Sequence, residues 1–372
     1  MSSAAVPTAS VSAIATLELA GAPPAAERML AVPRTIEPIQ HLRAVAAIGV
    51  ALHHSIAQVY GNNGHAYGRL GAAGVDLFFV ISGFIMWVTA ISRDEAPAKF
   101  VLKRLLRIVP LYWLVTSFVL AIVLIKPRLM RSASFDAAHA VASYLFIAWP
   151  HPKFTGTFWP VVVPGWTLDY EMFFYAIVTV SLAFGLRWRP LIICGALIAL
   201  TLLGTALAPL TVAGFYTNSI LLEFAFGIAI GLCFTKTSGL RRGWAYGLIA
   251  ISLVVFVVLG PLETDVNRFV CWGIPMALLV LGSVDAPTIL PSRAFRILGD
   301  ASYSIYLTQF CTIAPAAAVL NSVLQGSAQK ILATVALAAV AVGGGLVAYA
   351  LAERPLTRWV KGALLRALAR TP

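Results

Sequence analysis

The stretch LGAAGVDLFFVISGFIMWVTAIS, residues 70–92, decides the fold of this chain. Asp76 is its one charged residue, and nearly all other side chains in it are apolar or small. A helix rises about 1.5 Å per residue, so the stretch is long enough to cross a hydrocarbon core about 30 Å thick. It is therefore predicted to be a transmembrane helix.

The rest of the chain repeats this composition. Of its 372 residues 60% are apolar and 11% are charged, whereas soluble domains carry about a quarter charged residues. Further apolar runs lie at about 38–59, 101–125, 137–149, 166–186, 190–209, 214–235, 243–260, 266–284, 299–320 and 328–352. The run at 137–149 is too short to cross. We predict an all-α polytopic membrane protein with about ten transmembrane helices and one short non-spanning or re-entrant segment.

The basic residues orient these spans. The net charge is +12, and with a cytoplasmic N-terminus 19 of the 27 Lys and Arg residues fall on the cytoplasmic side, as the positive-inside rule requires. Both termini are then cytoplasmic, and the excess charge is no argument for nucleic acid. The predicted domains are a disordered tail at 1–35, a membrane domain at 36–355 and a basic tail at 356–372.

Ionisable side chains at membrane depth cost several kcal/mol, so each needs a partner or a function. Arg43 and His54 lie 11 residues apart in the first span, which places them on nearly one helix face about 16 Å apart. His53 is rotated by about 100° from that face. In one interpretation Arg43 extends to the inner membrane interface and the histidines lie near the outer end of the span without a function. In the other, a neutral imidazole in this span serves as a general base.

Two groups follow along the chain. For Asp76 in the second span, pairing with Arg43 or a histidine is the expectation, whereas Ser82 and Gly83 suit close approach of a helix or of a ligand. Arg104 and Arg107 are helical neighbours before Pro110. They are either a topology signal or a fork that binds the phosphates of a cytoplasmic cofactor.

Acidic residues mark a third region. Asp169 and Glu171 are two residues apart at the predicted start of a helix. Capping of the helix could account for one of them. Two acids in an aromatic run suggest a site that binds sugar hydroxyls or transfers protons. Glu223 is costly in its apolar run and is expected to be paired. Tyr303 belongs to an aromatic stretch that also suits an interface anchor.

Taken together, these motifs resemble the acyltransferase type 3 family of integral membrane acyltransferases, and within it the bacterial exopolysaccharide-production acetyltransferases. The resemblance runs from about 36 to 360. It rests on Arg43 and His54, SGF at 82–84, RLLRIVP at 104–110, GWTLDYEMFFY at 165–175, SYSIYL at 302–307 and ERPL at 353–356.

The resemblance implies transfer of an acyl group, usually acetyl, from cytoplasmic acyl-CoA to a hydroxyl of a glycan or lipid-linked oligosaccharide, in the bacterial inner membrane. It implies no permanently bound cofactor and no metal. His54, Arg43 and Glu171 would be catalytic, with Arg104, Arg107, Ser82 and Gly83 at the acyl donor. Glu171 or Asp76 could orient the His54 imidazole. Supporting roles fall to His53, Asp76, Asp169, Glu223 and Tyr303, and Gln309 departs from a histidine that many relatives carry.

A secondary transporter or flippase is the alternative, because intramembrane Arg, His, Asp and Glu also build proton relays. The acceptor sugar, the oligomeric state, and the choice between direct transfer and an acyl-histidine intermediate stay open at this point.

Overall fold

The computed structural model describes residues 36–61, 66–126, 134–207, 210–237, 239–264, 267–286, 293–320 and 327–368. Helices account for nearly all regular structure in these ranges, and no β-strand occurs in them. The prediction of an all-α polytopic membrane protein is confirmed. The predicted N-terminal tail, 1–35, lies outside the described residues.

The α-helices of the described ranges are numbered here in chain order. They are α1 Glu37–Tyr60, α2 Gly74–Met86, α3 Pro97–Ile125, α4 Ala137–Tyr144, α5 Trp166–Leu182, α6 Arg189–Gly204, α7 Val212–Phe215, α8 Leu221–Lys236, α9 Arg242–Leu259, α10 Ile274–Asp285, α11 Arg293–Asp300, α12 Ser302–Leu320, α13 Ser327–Ala348 and α14 Arg354–Leu368. A 3-10 turn at Ala66–Ala73 leads into α2, and a π-helical turn at Tyr349–Glu353 joins α13 to α14.

Six helices of the described part are long and apolar enough to cross a membrane. They are Glu37–Tyr60, Gly68–Ile91, Pro97–Ile125, Arg242–Leu262, Ser302–Leu320 and Gln329–Ala363. The helices α5, α6 and α8 and the segment Phe269–Asp285 have 16 or 17 residues each and coincide with the other four predicted spans. The total of ten spans stays a prediction. The short run at 137–149 forms only the eight-residue α4, about 12 Å long, which is too short to cross.

Helix α2 forms the centre of the bundle, with 78% of its apolar window buried, against 17% for the peripheral α9. It crosses α8 at close range. A Cβ on Gly83 would stand 2.2 Å from the Phe224 carbonyl oxygen, and one on Gly227 would stand 2.1 Å from the Val80 oxygen. Small residues at such a crossing let two backbones touch, which is how helices associate within a membrane. Gly83 therefore packs α2 against α8.

Candidate active site

A cavity of about 360 Å³ lies between α1, α2, α3, α5 and α12. It brings together six residues that the sequence analysis singled out from widely separated motifs: Arg43, Ser82, Arg104, Arg107, Glu171 and Tyr303. Charged and polar side chains gathered around one cavity in an otherwise apolar bundle mark a binding or catalytic site. The cavity is therefore the candidate active site.

Two arginines in the cavity wall form no direct ion pair with any carboxylate that the structure describes. The Arg43 Nη1 donates to Gln40 Oε1 at 3.3 Å, and Arg43 makes no ion pair with a described carboxylate. Arg104 lies over the rings of Phe100 and Tyr175, 5.5 and 5.9 Å from their centroids, and its Nε has no hydrogen-bond partner. A guanidinium keeps its charge even in an apolar setting. The cavity therefore presents positive charge that suits an anionic ligand.

Arg107 has a different environment. It forms an ion pair with Glu353, which is only 2% exposed and also accepts a hydrogen bond from Ser304 Oγ. Its guanidinium lies over the Tyr303 ring at 5.6 Å from the centroid. Most of the Arg107 charge is thus neutralised within the protein. Glu353 has no predicted role, and the ERPL motif at 353–356 is the one sequence signal that includes it.

Helix α5 supplies a carboxylate to the cavity wall. Glu171 accepts hydrogen bonds from Ser82 Oγ, at 3.2 Å, and from the Tyr175 hydroxyl. Positions 167, 171 and 175 repeat every four residues, so one face of α5 meets the cavity. Ser82 holds this carboxylate from the neighbouring helix.

Asp169 belongs to another face of α5, since two residues turn a helix by about 200°. It does not line the cavity, it is buried, and neither of its carboxyl oxygens has a hydrogen-bond partner. It caps no helix end either, because the turn that starts α5 has no side-chain cap. The structure thus separates the two acids that the sequence presents side by side.

The histidines of α1 do not line the cavity. His53 Nδ1 lies 3.2 Å from the Gly68 carbonyl oxygen, and the two imidazole centroids are 5.1 Å apart. His54 is exposed, although it lies on the helix face that Arg43 presents to the cavity. Neither Glu171 nor Asp76 hydrogen-bonds to it, so the expectation that one of these acids orients the imidazole is wrong. Their hydrogen bonds go to other partners.

Asp76 pairs with Arg268 rather than with Arg43 or a histidine. Arg268 Nε and Nη2 donate to the two carboxyl oxygens of Asp76 at 3.0 and 2.8 Å, and its guanidinium lies 4.7 Å from the Trp272 centroid. Glu223, also fully buried, lies beside Asp76, but neither of its carboxyl oxygens has a hydrogen-bond partner and it forms no ion pair within the described ranges, so its expected pairing is not found there. Arg268 belongs to none of the motifs quoted from the sequence, and no local pattern indicates its partner on α2. This cluster joins α2, α8 and the start of the Phe269–Asp285 segment.

Gly83 does not line the cavity, because the backbone of α8 occupies the space next to its Cα atom. Its placement at the acyl donor is corrected: of the pair Ser82 and Gly83, the serine lines the cavity and the glycine packs the helices.

Among the described residues no group of three or more His, Cys, Asp and Glu side chains is arranged to hold a metal ion.

Comparison with known proteins shows the family to which the chain belongs. A family model described as an acyltransferase domain matches residues 37–350. The chain is 37% identical over 299 residues to the exopolysaccharide production protein ExoZ of Rhizobium meliloti, an alignment that covers 79% of this chain and 92% of ExoZ. It is 27% identical to acyltransferase MdmB of Streptomyces mycarofaciens, over 78% of this chain and 81% of MdmB.

A more distant relative is the peptidoglycan O-acetyltransferase OatA of Listeria monocytogenes, 25% identical over 76% of this chain but only 50% of OatA. No solved structure matches the chain significantly. The family match nevertheless covers every helix that lines the cavity. The chain is therefore a multi-pass membrane acyltransferase that belongs to the acyltransferase type 3 family.

Proposed function

We propose that this enzyme transfers an acetyl group from cytoplasmic acetyl-CoA to a hydroxyl of a cell-surface or lipid-linked glycan. The single observation that carries the proposal is the cavity in which Arg43 and Arg104 form no ion pair with a carboxylate of the described ranges. An acyl-CoA is a polyanion with a long, thin arm that ends in a thioester. Its phosphates fit the unpaired guanidiniums, and its arm fits a cavity between helices.

The positions of basic residues support a donor entrance on the cytoplasmic side. Lys103 and Arg104 lie near the start of α3, next to a loop that the positive-inside rule assigns to the cytoplasm. On this basis acetyl-CoA enters from the cytoplasm of a bacterial cell, and the protein resides in the inner membrane with both termini inside. The donor then extends along the cavity toward Glu171.

The acceptor is proposed from the relatives. ExoZ is described by exopolysaccharide production and OatA by peptidoglycan O-acetylation, so both are connected with surface polysaccharides. The exposed side chain of Trp159 and the half-buried Trp166, before and at the start of α5, offer aromatic faces for sugar rings. A glycan hydroxyl presented there would meet the donor near the middle of the membrane.

The transfer forms one ester and breaks one thioester. His54, as general base, takes the proton of the glycan hydroxyl, and the oxygen attacks the thioester carbonyl. The carbon–sulfur bond then breaks, and the CoA thiolate leaves and receives a proton from the imidazolium. In the second route the imidazole nitrogen attacks the thioester carbonyl first, and the CoA thiolate leaves with the proton that the acetylated ring loses. The glycan oxygen then takes the acetyl group, and its hydroxyl proton returns to the imidazole. Arg43, on the same helix face, is placed to stabilise negative charge on the donor.

The test is an assay with purified protein in liposomes, with labelled acetyl-CoA on one side and glycan acceptor available on both. Acetyl-glycan must form in the wild type and fall by at least about 100-fold in His54→Ala, the scale of general-base catalysis. His41→Ala is the matched control, because His41 lies on the same helix and does not line the cavity. Glycan or proton flux without CoA release would overturn the proposal in favour of a transporter.

A further inference from the structure

The cavity has two chemically different ends. At one end Arg104 lies against Tyr175, and Lys103 lies beside it in an ion pair with Glu95. Because α2 runs toward α3 through a short turn, Met86 belongs to this charged end, whereas Val75 lies 11 residues, about 16 Å, further along the helix. The same order holds on α5, where Tyr175 is at the charged end and Thr167 about 12 Å away.

At the far end two aromatic rings meet. Phe78 stands edge-on to Tyr306, with ring centroids 6.0 Å apart and planes at 66°. The Tyr306 hydroxyl donates to the Pro164 carbonyl oxygen at 3.0 Å and lies 3.0 Å from Thr167 Oγ1. Tyr306 is buried and fixed by these bonds, whereas Phe78 is half-buried and has no polar anchor. The pair forms the floor of the cavity.

The catalytic histidine proposed for α1 lies further along the helix face that reaches this end. Phe78 packs next to the cluster that contains Ala47, one helical turn past Arg43. His54 follows Ala47 by seven residues, about 10 Å further along the same face. Phe78 therefore marks the end of the cavity that lies toward His54.

We propose that Phe78, backed by Tyr306, sets the length of the acyl group that the enzyme accepts. This inference rests on the proposed function, in which the phosphates of the donor bind at Arg104 and the acyl group points toward the floor. A short acyl group fits above the Phe78 ring, and a longer chain collides with it. An apolar wall discriminates by roughly 10-fold or more for each methylene that it rejects.

The test compares acetyl-, propionyl-, butyryl- and hexanoyl-CoA as donors, each at a range of concentrations, in wild type, Phe78→Leu and Phe78→Ala. The measured quantity is the ratio of kcat/KM for each longer donor to that for acetyl-CoA. We expect the butyryl-to-acetyl ratio to rise at least 10-fold in Phe78→Ala, with Phe78→Leu in between. Phe78→Trp is expected to lower acetyl transfer and to leave the KM for acetyl-CoA nearly unchanged.

Phe84→Ala is the matched control. It removes the same side chain from the same helix, but Phe84 is fully buried against Phe234 and does not line the cavity, so its donor ratios should equal those of wild type. Equal ratios in Phe78→Ala and wild type, with acetyl transfer still measurable, would overturn this inference alone. A wild type that consumes no acyl-CoA would instead overturn the proposed function.

Discussion

Replacing Arg104 and Arg107 one at a time is expected to produce two different defects. Arg104 has no partner among the described carboxylates and faces the cavity, whereas Arg107 is bound to the buried Glu353. Removing Arg104 therefore takes away a ligand-binding charge. Removing Arg107 mainly leaves a carboxylate without its counter-ion.

The magnitudes follow from the surroundings of each side chain. A charge-assisted hydrogen bond to phosphate contributes about 1.5–3 kcal/mol, so Arg104→Ala should raise the KM for acetyl-CoA roughly 10- to 100-fold. Breaking a fully buried ion pair costs about 3–5 kcal/mol. The Arg107 side chain is 37% exposed, so we expect a smaller loss of about 2 kcal/mol in Arg107→Ala.

Two assays separate the defects. Initial rates at varied acetyl-CoA concentration give the KM, and thermal unfolding in detergent gives the stability. Glu353→Gln in the Arg107→Ala background should restore most of the lost stability, because a neutral amide replaces the unpaired carboxylate. Arg187→Ala is the control for loss of a positive charge, since Arg187 is exposed on another loop and lies over Trp188.

One result would refute this reasoning. If Arg107→Ala raised the KM for acetyl-CoA as far as Arg104→Ala does and left the unfolding temperature unchanged, the Glu353 ion pair would have no stabilising role. Both arginines would then be equivalent phosphate ligands, as their spacing in the sequence suggests.

Other perturbations test the rest of the site. Glu171→Gln should lower kcat at least 10-fold, because the carboxylate lines the cavity. The unfolding temperature should stay unchanged, because the amide can keep the contact with Ser82. An unchanged kcat would assign Glu171 a purely structural role. Asp76→Ala should destabilise the protein by about 3–5 kcal/mol, because it leaves Arg268 without its ion-pair partner. Adding Arg268→Met to this variant should recover part of the lost stability, measured by thermal unfolding. Gly83→Ala should cost about 1–3 kcal/mol or more, because its Cβ would stand 2.2 Å from a backbone oxygen of α8; a melt equal to wild type would show that the helices separate freely there.

The fold class was readable from the sequence because a membrane imposes one dominant rule. Backbone groups in hydrocarbon must be hydrogen-bonded internally, so apolar runs of about 20 residues become helices whatever their other details. Residues 70–92 illustrate this, since a stretch of 23 residues with a single charged side chain is apolar enough to be predicted as a span. The charged positions Arg43, Arg104 and Glu171 were readable for the related reason that ionisable groups at this depth are costly.

The partners of these charges were not readable. Arg107 and Glu353 are 246 positions apart, and Asp76 and Arg268 are 192 apart, so no local spacing links them. Asp169 and Glu171, by contrast, are close in sequence but lie on different faces of α5, because a helix turns about 100° per residue. Proximity along the chain thus predicted neither contact nor separation.

The sequence by itself determined that this is an α-helical membrane protein with a small set of charges that need an explanation, because hydrophobicity and charge are properties of single residues. Only the tertiary structure decided which of those charges are neutralised within the protein and which stand open to a ligand. Neutralisation depends on the packing of helices that are distant in the sequence. This packing pairs Arg107 with Glu353 and Asp76 with Arg268, and it leaves Arg43 and Arg104 facing the cavity.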